Sequence, residues 1–387
     1  MKVAFCTLGC KVNQYESQSM EQALIKRGFE CVGASEEADV YIVNSCTVTA
    51  ESDRKTRQNV RHLRKLHPDA VIVLTGCMPQ AFPEDARLLT QADIVTGNRS
   101  NKQIPDMIDE FFRTRERIVR IAQHENGEKF SGELINDFRE RTRATVKIED
   151  GCNRFCSYCV IPYARGRVRS KPLEDIREEI SSLEKKGFSE IVLVGINLSA
   201  YGTDCGASIC DAVELAASFD GIKRVRLGSL EPDHMTPEVT KRLAECKKLC
   251  PQFHISLQSG CDKTLKRMNR HYTAAEYEEL CTRLRSEFED ATLTTDVMVG
   301  FSGETKEDFE ISRDFVKKIG FEKVHVFPYS RRTGTRAAEF PDVVENAEKE
   351  RRSREMIAAA GEVRREFLRS QDRKSTRLNS SHQVRSR

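Results

Sequence analysis

The sequence predicts an α/β protein in two successive parts, an open parallel α/β domain followed by a partial β/α barrel of six units. Three observations predict it. Short apolar runs alternate with amphipathic segments along the chain. In the first 120 residues the runs are rich in Val, Ile and Leu and lack polar alternation, the pattern of parallel strands covered on both faces. Polar and sulfur-bearing residues gather where the runs end, and in parallel α/β folds the strand ends carry the chemistry.

Residues 1–120 form the first domain. MKVAFCTLGC reads as a strand entering a turn, and NQYESQSMEQALIKRG as an amphipathic helix closed by Gly28. ADVYIVNSC is a second strand, followed by the helix AESDRKTRQNVRHLRKLH. AVIVLTGC is a third strand and ADIVTGN a fourth. Three of these strands end in a cysteine, Cys10, Cys46 and Cys77. Parallel strands bring their ends to one sheet edge, so the three thiols converge there. A cysteine also closes a strand simply as a small buried hydrophobe, and spacing alone leaves that alternative open.

The charged, irregular stretch at about 113–143 reads as a linker, with the domain boundaries set at 121 and 143. From 144 to 370 six more strands recur: ATVKIEDGC, EIVLVGIN, RVRLGSL, QFHISLQSG, TLTTDVMVGF and KVHVFPYS. Asn197, Glu231 and Gln258 stand at the ends of the second, third and fourth. Polar residues in such places are often only turn formers.

Composition narrows the class. The chain has 387 residues, of which 39% are apolar and 19 are Phe, too hydrophobic for a disordered protein. No apolar stretch approaches the ~18 residues of a membrane span, and the N-terminus lacks the layout of a secretion signal. A cytoplasmic protein without a membrane partner is expected. The net charge of +3 rests on Arg373, Lys374, Arg377, Arg385 and Arg387. They lie in a patternless stretch, 371–387, read as a non-native tail over a truncated end.

Fourteen cysteines in a chain without a signal favour metal or redox chemistry over disulfides. The strongest pattern is Cys152-Asn-Arg-Phe-Cys156-Ser-Tyr-Cys159. Its x3 and x2 spacing arises by chance roughly 0.02 times in such a chain. Three thiolates on one loop suit three corners of a [4Fe-4S] cube and leave the fourth iron open to a ligand. Three buried loop thiols, or a zinc knuckle short of a ligand, are the plainer alternatives.

CNRFCSYC has the CxxxCxxC spacing of the radical S-adenosylmethionine (SAM) enzymes. TLGCKVNQYES, the strand ends NSC and TGC, CNRFCSYCVIPYARGRVRS, GINLSAYG, SLEP, SLQSGCDKTLKRMNR and GFSGET together resemble a methylthiotransferase. The likeness runs from residue 1 to about 370, and TLGCKVNQYES most resembles the branch acting on N6-threonylcarbamoyladenosine at tRNA position 37. It implies an N-terminal methylthiotransferase domain and a partial (β/α)6 radical SAM barrel. It also implies two [4Fe-4S] clusters, one on Cys152, Cys156 and Cys159 and an auxiliary one on Cys10, Cys46 and Cys77.

By the same resemblance Asn197 and Glu231 face the SAM pocket, and the tRNA anticodon loop is the partner, with an electron donor and a sulfur donor. Isopentenyladenosine-37 tRNA, a ribosomal-protein aspartate, or a non-catalytic iron–sulfur RNA-binding or sensor role are the alternatives. Cys6 and Cys31 are expected not to be ligands. Two departures stand out: Ser302 replaces a more usual Pro, and the family's terminal RNA-binding module is expected to be missing. Basic runs at Arg54, Lys55, Arg57, Arg61, Arg64 and Lys65, and at Arg165, Arg167, Arg169 and Lys171 beside Tyr163, suit RNA phosphates or a solvated face.

Overall fold

The computed structural model describes residues 1–132, 134, 135 and 142–383, with side chains to Asp372. Part of the expected linker, at 133 and 136–141, lies outside the described residues. So do the tail from 384 on and its side chains from 373.

The N-terminal sheet has six parallel strands: β1 (Lys2–Thr7), β2 (Glu30–Val32), β3 (Val40–Ser45), β4 (Val71–Gly76), β5 (Ile94–Thr96) and β6 (Ile118–Arg120), in the order β2-β1-β3-β4-β5-β6. Every residue of β3 and β4 is buried, the apolar runs VYIV and VIVL covered on both faces and the polar Asn44, Ser45 and Thr75 beyond them hydrogen-bonded. Helix α1 (Lys11–Lys26) puts Met20 and Leu24 on one face of the sheet, against Val3, Val40, Ile42 and Val73. Helix α2 (Ala50–Leu66) puts Val60 on the other, with Val43, Ile72 and Leu74. Thr49 caps α2 by accepting the Ser52 N–H at 3.1 Å.

The strand order reverses between β1 and β3. In open α/β sheets the crevice outside the carboxyl ends at that reversal receives ligands. Cys10 and Cys46 flank it.

The second region begins with β7 (Ala144–Lys147), β8 (Glu149–Asp150), β9 (Arg169–Ser170), β10 (Glu190–Val194) and β11 (Arg224–Leu227), and β11, β10 and β7 form a parallel sheet. Beyond Gly228, β12 (Ser229–Leu230), β13 (Gln252–Ile255), β14 (Thr292–Val299) and β15 (Lys323–Pro328) form a second parallel sheet in chain order. Each of the six expected strand segments is present. ATVKIEDGC breaks at Ile148, and RVRLGSL breaks at Gly228.

Met1–Gly228 together with Ser330–Thr335 form one compact unit, and Ser229–Tyr329 with the chain from Arg336 on form another. Within the first unit, α1 touches both sheets. Val12 packs on Val192 and Val194 of β10, and the Tyr15 hydroxyl donates to Glu179 at 3.0 Å. The closing helix runs Asn346–Gln383. No described helix is long and apolar enough to cross a membrane.

Candidate iron–sulfur and cofactor site

Cys10 is the residue before α1, Cys46 directly follows β3, and Cys77 opens the short helix α3 (Cys77–Ala81) directly after β4. Because β1, β3 and β4 are neighbours, the three thiols stand at adjacent ends of one sheet edge. Two glycines make the approach possible. Gly9 has φ +108°, and a Cβ there would lie 2.7 Å from Cys46 Cβ. Gly76 has φ +98°, and a Cβ would lie 2.5 Å from both Ser45 N and Ser45 O.

Burial raises the Cys46 thiol and pushes Cys77 up to about 12, with Arg165 opposing that rise and Glu16, Cys46 and Cys10 adding to it. Loading a metal there must displace thiol protons. Among the described residues no three His, Cys, Asp or Glu groups close up on a single-ion site. A four-iron cube is wider than one ion and holds its thiolates apart at its outer corners, so strand-end thiols around a crevice suit it. Cys6 lies inside β1, where Asn59 Nδ2 donates to its sulfur at 3.3 Å, and Cys31 lies in β2.

The second triad rides on a clamped loop. β8 and β9 pair antiparallel, Glu149 with Ser170 and Asp150 with Arg169, and close residues 151–168 into one excursion. Cys152 N donates to Gly166 O at 3.0 Å, and Cys159 N to Cys156 O at 3.0 Å. Gly151 at φ +92° leads into the loop, where a Cβ would meet Arg167 O at 2.0 Å.

Asn197 stands beside this loop, its Nδ2 3.9 Å from Cys152 Sγ. Its backbone N–H donates to Glu149 Oε2 at 2.7 Å. Asn197 Oδ1 and Glu149 Oε1 are buried without a partner among the described residues. Burial raises the Glu149 carboxyl to about 8, against the lowering effect of the Asn197 N–H. Two orphaned polar atoms next to Cys152, which the sequence pattern marks as a candidate cluster ligand, suit a bound polar cofactor such as SAM. Glu149 carried no motif that singled it out in the sequence. Glu231 lies in the second unit, where Arg270 donates to its carboxylate. Gln258, also in that unit, has φ +65° and a buried Oε1 without a partner among the described residues.

Of the basic run after the loop, only Arg167 faces outward, its guanidinium 4.6 Å from the Phe155 ring. Arg165, Arg169 and Lys171 are buried and paired with acids, Arg165 with Glu16, Arg169 with Asp150 and Glu128, and Lys171 with Glu179. A phosphate-binding role for those three is ruled out by this pairing. Lys147 donates to Glu16 at 2.7 Å and to Asp150 at 2.8 Å. Burial works against an ionised Asp150, yet Lys147, Arg165 and Arg169 together hold it well below the usual carboxylate range. On α2, Arg54 pairs with Glu51 and Arg64 with Asp93, while Lys55, Arg61 and Lys65 are exposed. A groove of about 530 Å³ beside the cluster loop is lined by Phe82, Phe155, Tyr163 and Arg167, among others.

Residues 2–97 match the family described as Uncharacterized protein family UPF0004, and residues 146–316 match the Radical SAM superfamily. The chain is 38% identical over 357 residues to the threonylcarbamoyladenosine tRNA methylthiotransferase MtaB of Aquifex aeolicus, covering 91% of this chain and 86% of that one. It is 37% identical to MtaB of Bacillus subtilis, over 94% and 81% of the two chains. It is 36% identical to the tRNA-2-methylthio-N(6)-dimethylallyladenosine synthase of Pelotomaculum thermopropionicum, over 90% and 80%. Among solved structures, the radical S-adenosylmethionine methyltransferase TsrM of Kitasatospora setae superposes with a TM-score of 0.62 at 15% identity, covering 88% of this chain and 73% of that one. That likeness speaks to the fold, a mixed α/β architecture with a radical SAM domain. With relatives this similar over four fifths or more of their length, and with both cysteine triads at strand ends of the matched domains, the chain belongs to the radical SAM methylthiotransferase family.

Proposed function

We propose that this protein adds a methylthio group to carbon 2 of N6-threonylcarbamoyladenosine at position 37 of tRNA, beside the anticodon. The observation that carries the reading is that both cysteine triads belong to one compact unit, with Arg165 reaching from the helix after the Cys152–Cys159 loop to Cys77. The MtaB relatives and the TLGCKVNQYES opening support this nucleoside over its isopentenyl counterpart.

Cys152, Cys156 and Cys159 hold one [4Fe-4S] cluster, and Cys10, Cys46 and Cys77 the other. When bound, the clusters and SAM supply one-electron chemistry that removes hydrogen from an unactivated aromatic carbon, beyond the reach of side-chain acids and bases. The chain's own part is placement. Asn197 and Glu149 present polar atoms to SAM, with Glu231 a further candidate, while the β8–β9 clamp holds the cysteine loop in register. Tyr163 and the Arg167–Phe155 pair offer stacking faces to bases of a single-stranded anticodon loop, and Lys55, Arg61 and Lys65 offer charge to its phosphates. The protein works in the cytoplasm with separate electron and sulfur donors.

Anaerobic reconstitution should give about eight irons per chain, four for each cube. With SAM and dithionite the product should be 5′-deoxyadenosine, lost in Cys152→Ala. Mass spectrometry of tRNA nucleosides from a deletion strain decides the substrate. Loss of the 2-methylthio form of threonylcarbamoyladenosine supports the reading, whereas loss of the isopentenyl form instead would replace it.

A further inference from the structure

We propose that Arg165 is a positioning residue for the auxiliary cluster, raising its reduction potential through a hydrogen bond to the Cys77 sulfur. The inference rests on the reading of Cys10, Cys46 and Cys77 as ligands.

Arg165 ends the short helix Ile161–Arg165, just past the Cys152–Cys159 loop, and its side chain is wholly buried. Its Nε–H donates to Cys77 Sγ at 3.2 Å. Its Nη1 and Nη2 grip the two carboxylate oxygens of Glu16, the second at 3.0 Å, and Nη2 also donates to Asn13 Oδ1 at 3.0 Å. Asn13 extends the grip to the other two ligands. Its Oδ1 lies 3.4 Å from Cys10 Sγ, and its Nδ2 donates to Ser45 O, next to Cys46, at 2.8 Å. One guanidinium thus touches one thiol directly and reaches the surroundings of the other two through a single amide.

A salt-bridge strut between two elements needs only the Glu16 pair. The Nε–H aimed at sulfur adds something different. A guanidinium does not give up its proton in a protein, so a fixed N–H and a fixed positive charge face Cys77 in a dry setting. Adding an electron makes a cluster more negative, and a donor or cation at a ligand sulfur stabilises that reduced form. Glu16 tempers the effect by pairing with the same cation.

The test uses the full chain with Cys152, Cys156 and Cys159 all changed to Ala, reconstituted anaerobically with iron and sulfide so that only the auxiliary cluster forms. Its midpoint potential is read by a redox titration followed by electron paramagnetic resonance. Arg165→Gln is expected to lower the midpoint, Arg165→Lys to lower it less, and Glu16→Gln to raise it. The opposite sign for Glu16→Gln separates electrostatic tuning from a loosened site, and it carries the test if the Arg165 variants do not fold. Unmoved midpoints in variants that keep their iron would overturn the inference alone. A parent protein that assembles no cluster would overturn the ligand reading and the inference with it.

Discussion

The backbone N–H of Asn197 donates to Glu149 Oε2 at 2.7 Å, while the other oxygen of that carboxyl is buried without a partner among the described residues. A half-satisfied buried acid is more stable neutral than ionised. That explains why burial lifts Glu149 to about 8.

The consequence is a pH-dependent stability with a definite sign. The folded state keeps the Glu149 proton over a range where the unfolded chain has lost it. Stability from this group is therefore full below about pH 4.5 and falls as pH rises toward about 8. Glu149→Gln keeps an oxygen for the Asn197 N–H and removes the titration. The variant should show a flatter stability profile between pH 5 and 8, with a relative gain on the order of a few kcal/mol at the alkaline end. Urea unfolding of the metal-free protein at both pH values measures it, and parallel profiles for the two proteins would refute the assignment.

Gly76 joins β4 to Cys77 with a backbone that only glycine adopts readily, and its missing Cβ leaves room for the Ser45 backbone. Gly76→Ala should force Cys77 away from Cys46. We expect a stability loss on the order of 1–3 kcal/mol or more, together with a drop from about eight to about four irons per chain. Gly28→Ala is the control. It has φ +85° but nothing within 4 Å of an added Cβ, so it should cost some stability and no iron. Equal iron loss in both variants would mean that general destabilisation, and not the Ser45 clash, empties the site.

How much of this was legible in the sequence depends on whether the signal is local. β3 and β4 announce themselves as apolar runs, and the placing of their strand-end cysteines on one sheet edge follows from the parallel topology. β2 and β6 went unread because three residues carry no period, and β6 sits inside what looks like charged linker. Asn13, Tyr15 and Glu16 are all buried, yet as letters they look like the polar face of an amphipathic helix. Their partners, Ser45, Glu179 and Arg165, stand far along the chain. For the same reason the run from Arg165 to Lys171 reads in the sequence as an RNA surface or a solvated face. A basic residue shows its charge in the sequence, whereas the acid that claims it appears only on folding.

Tyr163 offers the sharpest test of the RNA face. Its side chain is about half exposed, and its ring meets Phe155 edge to face at 6.0 Å, with Arg167 packed on the same Phe155. An exposed aromatic ring beside a fixed cation suits an unstacked base, and such stacking contributes about 1–3 kcal/mol per base. Tyr163→Ala should therefore weaken binding of an anticodon stem-loop by roughly 5- to 150-fold, while iron content and 5′-deoxyadenosine formation without RNA stay as in the parent. Lys55→Ala with Arg61→Ala should act differently. Removing charges that meet phosphates lowers the slope of affinity against salt, whereas removing a stacking ring leaves that slope unchanged. Fluorescence anisotropy with a labelled stem-loop at several salt concentrations separates the two effects. Unaltered affinity in Tyr163→Ala would place the anticodon loop on a different face of the protein.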